Sequence, residues 1–92
     1  MAYTVDRKAF AKALGTTLRT LRRVRGHKRI VVSLATGFSE NSISNWESGK
    51  HMPDLHRLLT MAEFYKTSVS TIVTNAEKVM YMLEKRDTNN DD

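Results

Sequence analysis

Residues 33–50 read SLATGFSENSISNWESGK, and the fold turns on how this run divides. Gly37 falls four residues after Ser33 and suits a turn that needs positive φ. Ser39 is a good helix N-cap and Gly49 a good stop, which predicts a helix to about Ser48. Within it, Ile43 and Trp46 are three apart and share a side, so the residues between them face the other way. The preceding RIVVSLAT, residues 29–36, is short and apolar. Its Ile30, Val31 and Val32 also suit a strand, but a lone strand has nothing to pair with, and the run reads as a short helix ended by Gly37. Two helices joined by a glycine-containing turn make a helix-turn-helix unit. Such a unit needs a small residue where the helices cross, here Ser33, and apolar inner faces, here Val32, Phe38, Ile43 and Trp46.

On the N-terminal side, Phe10, Leu14, Leu18 and Leu21 recur at three- and four-residue steps. That spacing predicts one long helix over 6–25, capped by Asp6 and stopped by Gly26, with Gly15 as an interruption. On the C-terminal side, Asp54 follows the only proline, Pro53, and caps a helix to Tyr65 with Leu55, Leu58, Leu59, Ala62 and Phe64 or Tyr65 inward. Ser68 or Ser70 caps another helix containing Val69, Ile72 and Val73. Residues 76–85 carry Val79, Met80, Met82 and Leu83, too widely spread for one narrow stripe. The tail 87–92, DTNNDD, reads as polar, acidic and disordered. The expected class is all-α with five or six short helices. The expected organisation is a DNA-binding domain over 1–74, with its helix-turn-helix at about 29–48. A C-terminal helix over 75–86 and the tail follow.

The 92 residues suit one small domain. Cysteine is absent, which excludes a disulfide framework and thiolate metal sites. No run approaches the ~18 apolar residues of a membrane span, and MAYTVDRKAF has no apolar signal core. These readings predict a soluble, cytoplasmic chain. The net charge of +5 is unevenly placed. Residues 1–35 hold nine basic side chains and Asp6 as their only acid, whereas residues 36–92 hold six basic and nine acidic ones. A basic half points to a polyanionic partner.

The ordered sequence from Leu14 to Val73 resembles the Cro/cI-type (Xre-type) helix-turn-helix regulators of phages and bacteria, whose fold is that of the lambda repressor domain. LGTTLRTLRRVRG is similar to the family's first helix, with Leu18 and Arg22 in its Leu-x-x-x-Arg pattern and Gly26 closing it. ISNWESGK is similar to its Ile-Ser-x-x-Glu-x-Gly signature. MPDLHRLLTMAEFYKTSVSTIV is similar to its Pro-x-x-x-x-Leu-x-x-x-Ala helix and the short helix after it. The resemblance implies a recognition helix from Ser39 to Glu47, with Glu40, Asn41, Ser44 and Asn45 facing bases. It places Arg29, Lys50 and His51 near phosphate, and it implies a salt bridge between Arg22 and Glu47. The sequence departs from the pattern at Ser33, where alanine is usual, and at Lys28, where a serine N-cap is usual. Ile30, Val31 and Leu34 stand where relatives are commonly polar.

The residue chemistry suits duplex DNA on its own terms. Asn41 or Asn45 can pair with adenine N6 and N7, and Glu40 can accept from cytosine N4. The helix start at Ser39 offers N–H groups to a phosphate, flanked by Lys28 and Arg29. His27, His51 and His56 lack metal-ligand spacing, and no nucleophile–base pair or phosphate loop is present. The expectation is a non-enzymatic, cofactor-free transcriptional regulator, a repressor acting as a homodimer through Val79, Met80, Met82 and Leu83. The competing reading is a protein-interaction module, an antitoxin or anti-activator that meets a protein partner.

Overall fold

The computed structural model describes residues 3–89, with side chains through Glu84. Five helices follow one another: α1 Arg7–Val24, α2 Arg29–Thr36, α3 Glu40–Ser48, α4 Leu55–Phe64 and α5 Val69–Asn89. There is no strand among the described residues, so the all-α class expected from the sequence is the class found.

Local chemistry sets the ends of most helices. The Asp6 carboxylate accepts from the Ala9 N–H at 3.0 Å, the Ser39 hydroxyl from Ser42 N–H at 3.0 Å and the Asp54 carboxylate from Arg57 N–H at 2.8 Å. Each satisfies a first-turn donor that the helix itself leaves open. Between the two serines that were candidates for capping α5, the structure chooses Ser68, whose hydroxyl takes the Thr71 N–H at 3.1 Å. Only α2 starts without a side-chain cap, at Lys28. Gly37 ends α2 at φ 82°, a left-handed conformation costly for any residue with a Cβ.

The chain packs around α1, which lies against α5 on one side and α3 on another, with α2 and α4 completing the core. Leu14, Leu18, Val32, Ile43, Trp46, Leu58, Met61, Ala62, Tyr65, Ile72 and Ala76 form one buried cluster. Gly15 explains the close approach of α1 and α3. A Cβ there would lie 2.4 Å from the carbonyl oxygen of Trp46 and 2.6 Å from that of Glu47. A glycine that weakens the helical pattern in the sequence is therefore the residue that lets the two helices touch.

Two features differ from the sequence reading. Residues 69–85 form no pair of short helices: α5 is continuous for 21 residues. No glycine or proline interrupts it, and Val69, Ile72, Val73, Ala76 and Met80 make one stripe against the body. The helix runs through Asn89, into the stretch read as a disordered tail, and residues 90–92 lie outside the described residues. In α4, Leu55 and Leu59 point outward at 72% and 48% exposure rather than inward. The buried arc is Leu58, Met61, Ala62 and Tyr65; a helix of ten residues packed on one side has no room to bury a second stripe.

Candidate nucleic-acid interface

The outward face of α3 is built by what holds its inward face. Ile43 is fully buried, and Trp46 and Glu47 nearly so. The rings of Trp46 and Phe38 meet edge to face at 5.2 Å between centroids, which ties the turn after Gly37 to the helix it introduces. On the opposite side, Glu40 and Asn41 are exposed, and Ser44 and Asn45 are half-buried. These four residues stand in two adjacent rows four apart, so they form one polar face.

A buried ion pair fixes α3 to α1. The Arg22 guanidinium donates from Nε to Glu47 Oε2 at 2.6 Å and from Nη2 to Oε1 at 2.9 Å. Its Nη1 donates to the His27 carbonyl at 2.9 Å, so the same side chain also holds the connection between α1 and α2. The hydrogen bond to Glu47 raises the Arg22 pKa, against the cost of burial. Tyr65 packs nearby. Burial, and then the charge of Glu47, push its phenol well above the ordinary tyrosine value, and its hydroxyl has no hydrogen-bond partner among the described residues.

The basic residues frame the polar face at the helix ends. Lys28 is exposed and Arg29 half-buried at the start of α2. Lys50 and His51 are exposed in the connection after α3, where the His51 N–H donates to the Asn45 carbonyl at 3.2 Å and pins the connection to the helix. Ser39 sits at the start of α3, but its hydroxyl is used within the helix, taking the Ser42 N–H and donating to the Ser42 hydroxyl at 3.0 Å. What it leaves for an anion is the first-turn backbone rather than a free side chain.

Sequence reasoning missed Arg57. A concavity of about 420 Å³ lies beside α3, lined among others by Ser42, Asn45, His51, Pro53, Asp54 and Arg57. The polar face thus continues onto the first turn of α4. The Asp54 carboxylate pairs with the Arg57 side chain there, and it lies below its ordinary pKa chiefly because it accepts the Arg57 backbone N–H. The signal in the sequence was Asp54 three residues before Arg57, which reads first as a cap.

Other predicted residues lie elsewhere. Val79 and Met80 are half-buried against the body, whereas Met82 and Leu83 are 63% and 40% exposed on the outer length of α5. Ile30, Val31 and Leu34 are all exposed on α2. No group of three or more His, Asp or Glu that could hold a metal ion is found among the described residues. No helix there is long and apolar enough to cross a membrane.

A family model described as a helix-turn-helix domain matches residues 13–72. This span runs from the middle of α1 into the first turn of α5 and contains the whole of the polar face. No curated protein and no solved structure was found to match the chain.

Proposed function

Because the chain belongs to the helix-turn-helix domain family, we propose that it is a sequence-specific regulator of Cro/cI type that binds double-stranded DNA. Its action is that of a repressor on a pseudo-palindromic operator, and it works as a homodimer. The observation that carries this reading is the polar face of α3. Four short polar side chains stand clear on a helix whose opposite side is locked by Ile43, Trp46 and Glu47.

A helix presented in this way fits the major groove, and its N-terminal residues are the ones that reach base edges. Asn41 and Asn45 present amides to adenine, Glu40 an acceptor to cytosine and Ser44 a hydroxyl to either. Each good bidentate contact discriminates by about 1–3 kcal/mol. Lys28, Arg29, Lys50, His51 and the first-turn amides after Ser39 hold the two flanking phosphate strands and set the register. Arg22 and Glu47 act at one remove by fixing the angle at which α3 leaves the body. Most of the affinity then comes from phosphates and falls with salt.

Residues 1–74 are the DNA-binding unit, and the outer part of α5 is the dimer element. Its apolar stripe outlasts the core: Ala76 is fully buried, Val79 and Met80 are half-buried, and Met82 and Leu83 are exposed. An apolar seam that leaves the body in this way suits a second copy, and two copies place recognition helices on half-sites about 34 Å apart.

The test is selection of bound duplexes from a random pool at two salt concentrations. Enrichment of a palindrome, with affinity falling steeply between the two salts, supports the reading. A pool that stays random at both salts overturns it.

A further inference from the structure

Leu55 and Leu59 stand one turn apart on the same side of α4, 72% and 48% exposed, on a helix whose other apolar residues are mostly in the core. We infer that they form a second self-contact, through which copies bound at neighbouring operators touch. The inference rests on the DNA-binding reading above and names the partner of a surface that reading leaves unused.

The first argument is place. The first turn of α4 bounds the concavity beside Asn45, so the leucines lie close to the surface that faces DNA. A molecule on the adjacent stretch of duplex approaches that edge of the domain. The second argument is self-complementarity. In an antiparallel crossing centred between the two leucines, each Leu55 meets the partner's Leu59, as an isologous contact requires. The neighbouring charges do not oppose it, because Asp54 and Arg57 are already paired with each other within the chain.

The third argument is size. A stable dimer buries about 800 Å² on each partner, and two partly exposed leucine side chains supply well under that. The contact is therefore too small to hold free molecules together. It acts when DNA holds two copies near each other, where effective concentrations reach the mM range. The outer end of α5 serves the dimer in solution and α4 serves the contact between dimers. Two different self-contacts on one chain build an open row along DNA rather than a closed pair, and the consequence is cooperative filling of tandem operators.

The experiment uses the full chain and duplexes carrying one selected operator, or two operators whose spacing is stepped one base pair at a time. The wild type is expected to bind the second operator about 5–150-fold more tightly than the first at a favoured spacing, the usual range of such coupling. In the double variant Leu55→Ser with Leu59→Ser, the coupling should fall to one while affinity for the single operator stays within about twofold. A melting curve confirms folding, and the single variant Leu55→Ser should give an intermediate coupling. Coupling absent from the wild type at every spacing overturns the proposal, as does coupling that persists in the double variant. A tenfold loss on the single operator also overturns it, since the leucines would then act within one dimer. If the wild type shows no preference for any single operator, the DNA reading itself has failed, and that result is distinct from all of these.

Discussion

Replacing Gly15 by alanine sets two effects of opposite sign against each other at one residue. In an exposed helix, alanine is favoured over glycine by about 1 kcal/mol. Gly15 lies in α1 where that helix crosses α3, and the added methyl would stand 2.4 Å from the Trp46 oxygen, 1 Å short of ordinary contact at 3.4 Å. The opposing atoms are backbone, so no rotamer change relieves the clash; the helices must part. Overpacking of this kind costs about 1–3 kcal/mol, and here the parting also stretches the Arg22–Glu47 bonds of 2.6 and 2.9 Å across the same crossing. The net expectation is a loss of about 2–3 kcal/mol after the propensity gain, out of a total of about 5–14 kcal/mol for a chain of this length. Urea titration followed by circular dichroism measures it, with Ala and Gly variants of the exposed Arg23 as the propensity control. At position 23 alanine should be the more stable, and at position 15 the order should reverse. An alanine at 15 as stable as the glycine would refute the close-crossing argument.

Removing Glu47 as Glu47→Ala leaves the Arg22 charge buried and unpaired. It should cost about 3–5 kcal/mol in the same titration, whereas the apolar pair Arg22→Met with Glu47→Leu should recover most of that loss. Tyr65→Phe removes a buried hydroxyl that lacks a partner and should stabilise by about 1 kcal/mol. The folded protein holds that phenol proton more tightly than the unfolded chain does. This contribution to stability is therefore full below about pH 10 and is lost as pH rises above it, at up to about 1.4 kcal/mol per unit. Stability measured from pH 9 to 11.5 should fall more steeply for the wild type than for the Phe variant. Met82→Glu with Leu83→Glu should turn a dimer into a monomer in sedimentation at micromolar concentration, with thermal stability little changed because both side chains are exposed.

What was legible in the sequence was what local chemistry decides. Asp6, Ser39 and Asp54 cap as their side chains dictate, and Gly37 turns the chain where positive φ is needed. Ile43 and Trp46 fall on one side of α3 because the helical period leaves no other choice. The four polar residues opposite them were legible for the same reason. The facts that depend on neighbours were not. Leu55 and Leu59 fit the apolar period of α4 as well as Leu58 does, and only the direction from which α1, α2 and α5 approach decides which leucines are covered. Thr74 and Asn75 are poor helix formers and suggest a break that packing against α1 overrides. Gly15 weakens its helix on propensity, and its use appears only when α3 is in place. Arg57 carries no local mark beyond its spacing from Asp54, since the concavity it lines is made by three separate segments.

The claim that the outer face of α3 reads bases is tested most directly by Asn41→Ala. The measurement is its binding to the selected operator and to random duplex at one salt concentration. Loss of a base contact worth about 1–3 kcal/mol predicts operator affinity lower by roughly 5- to 150-fold, with random-duplex affinity unchanged. Equal losses on both duplexes, or no loss on either, would contradict it.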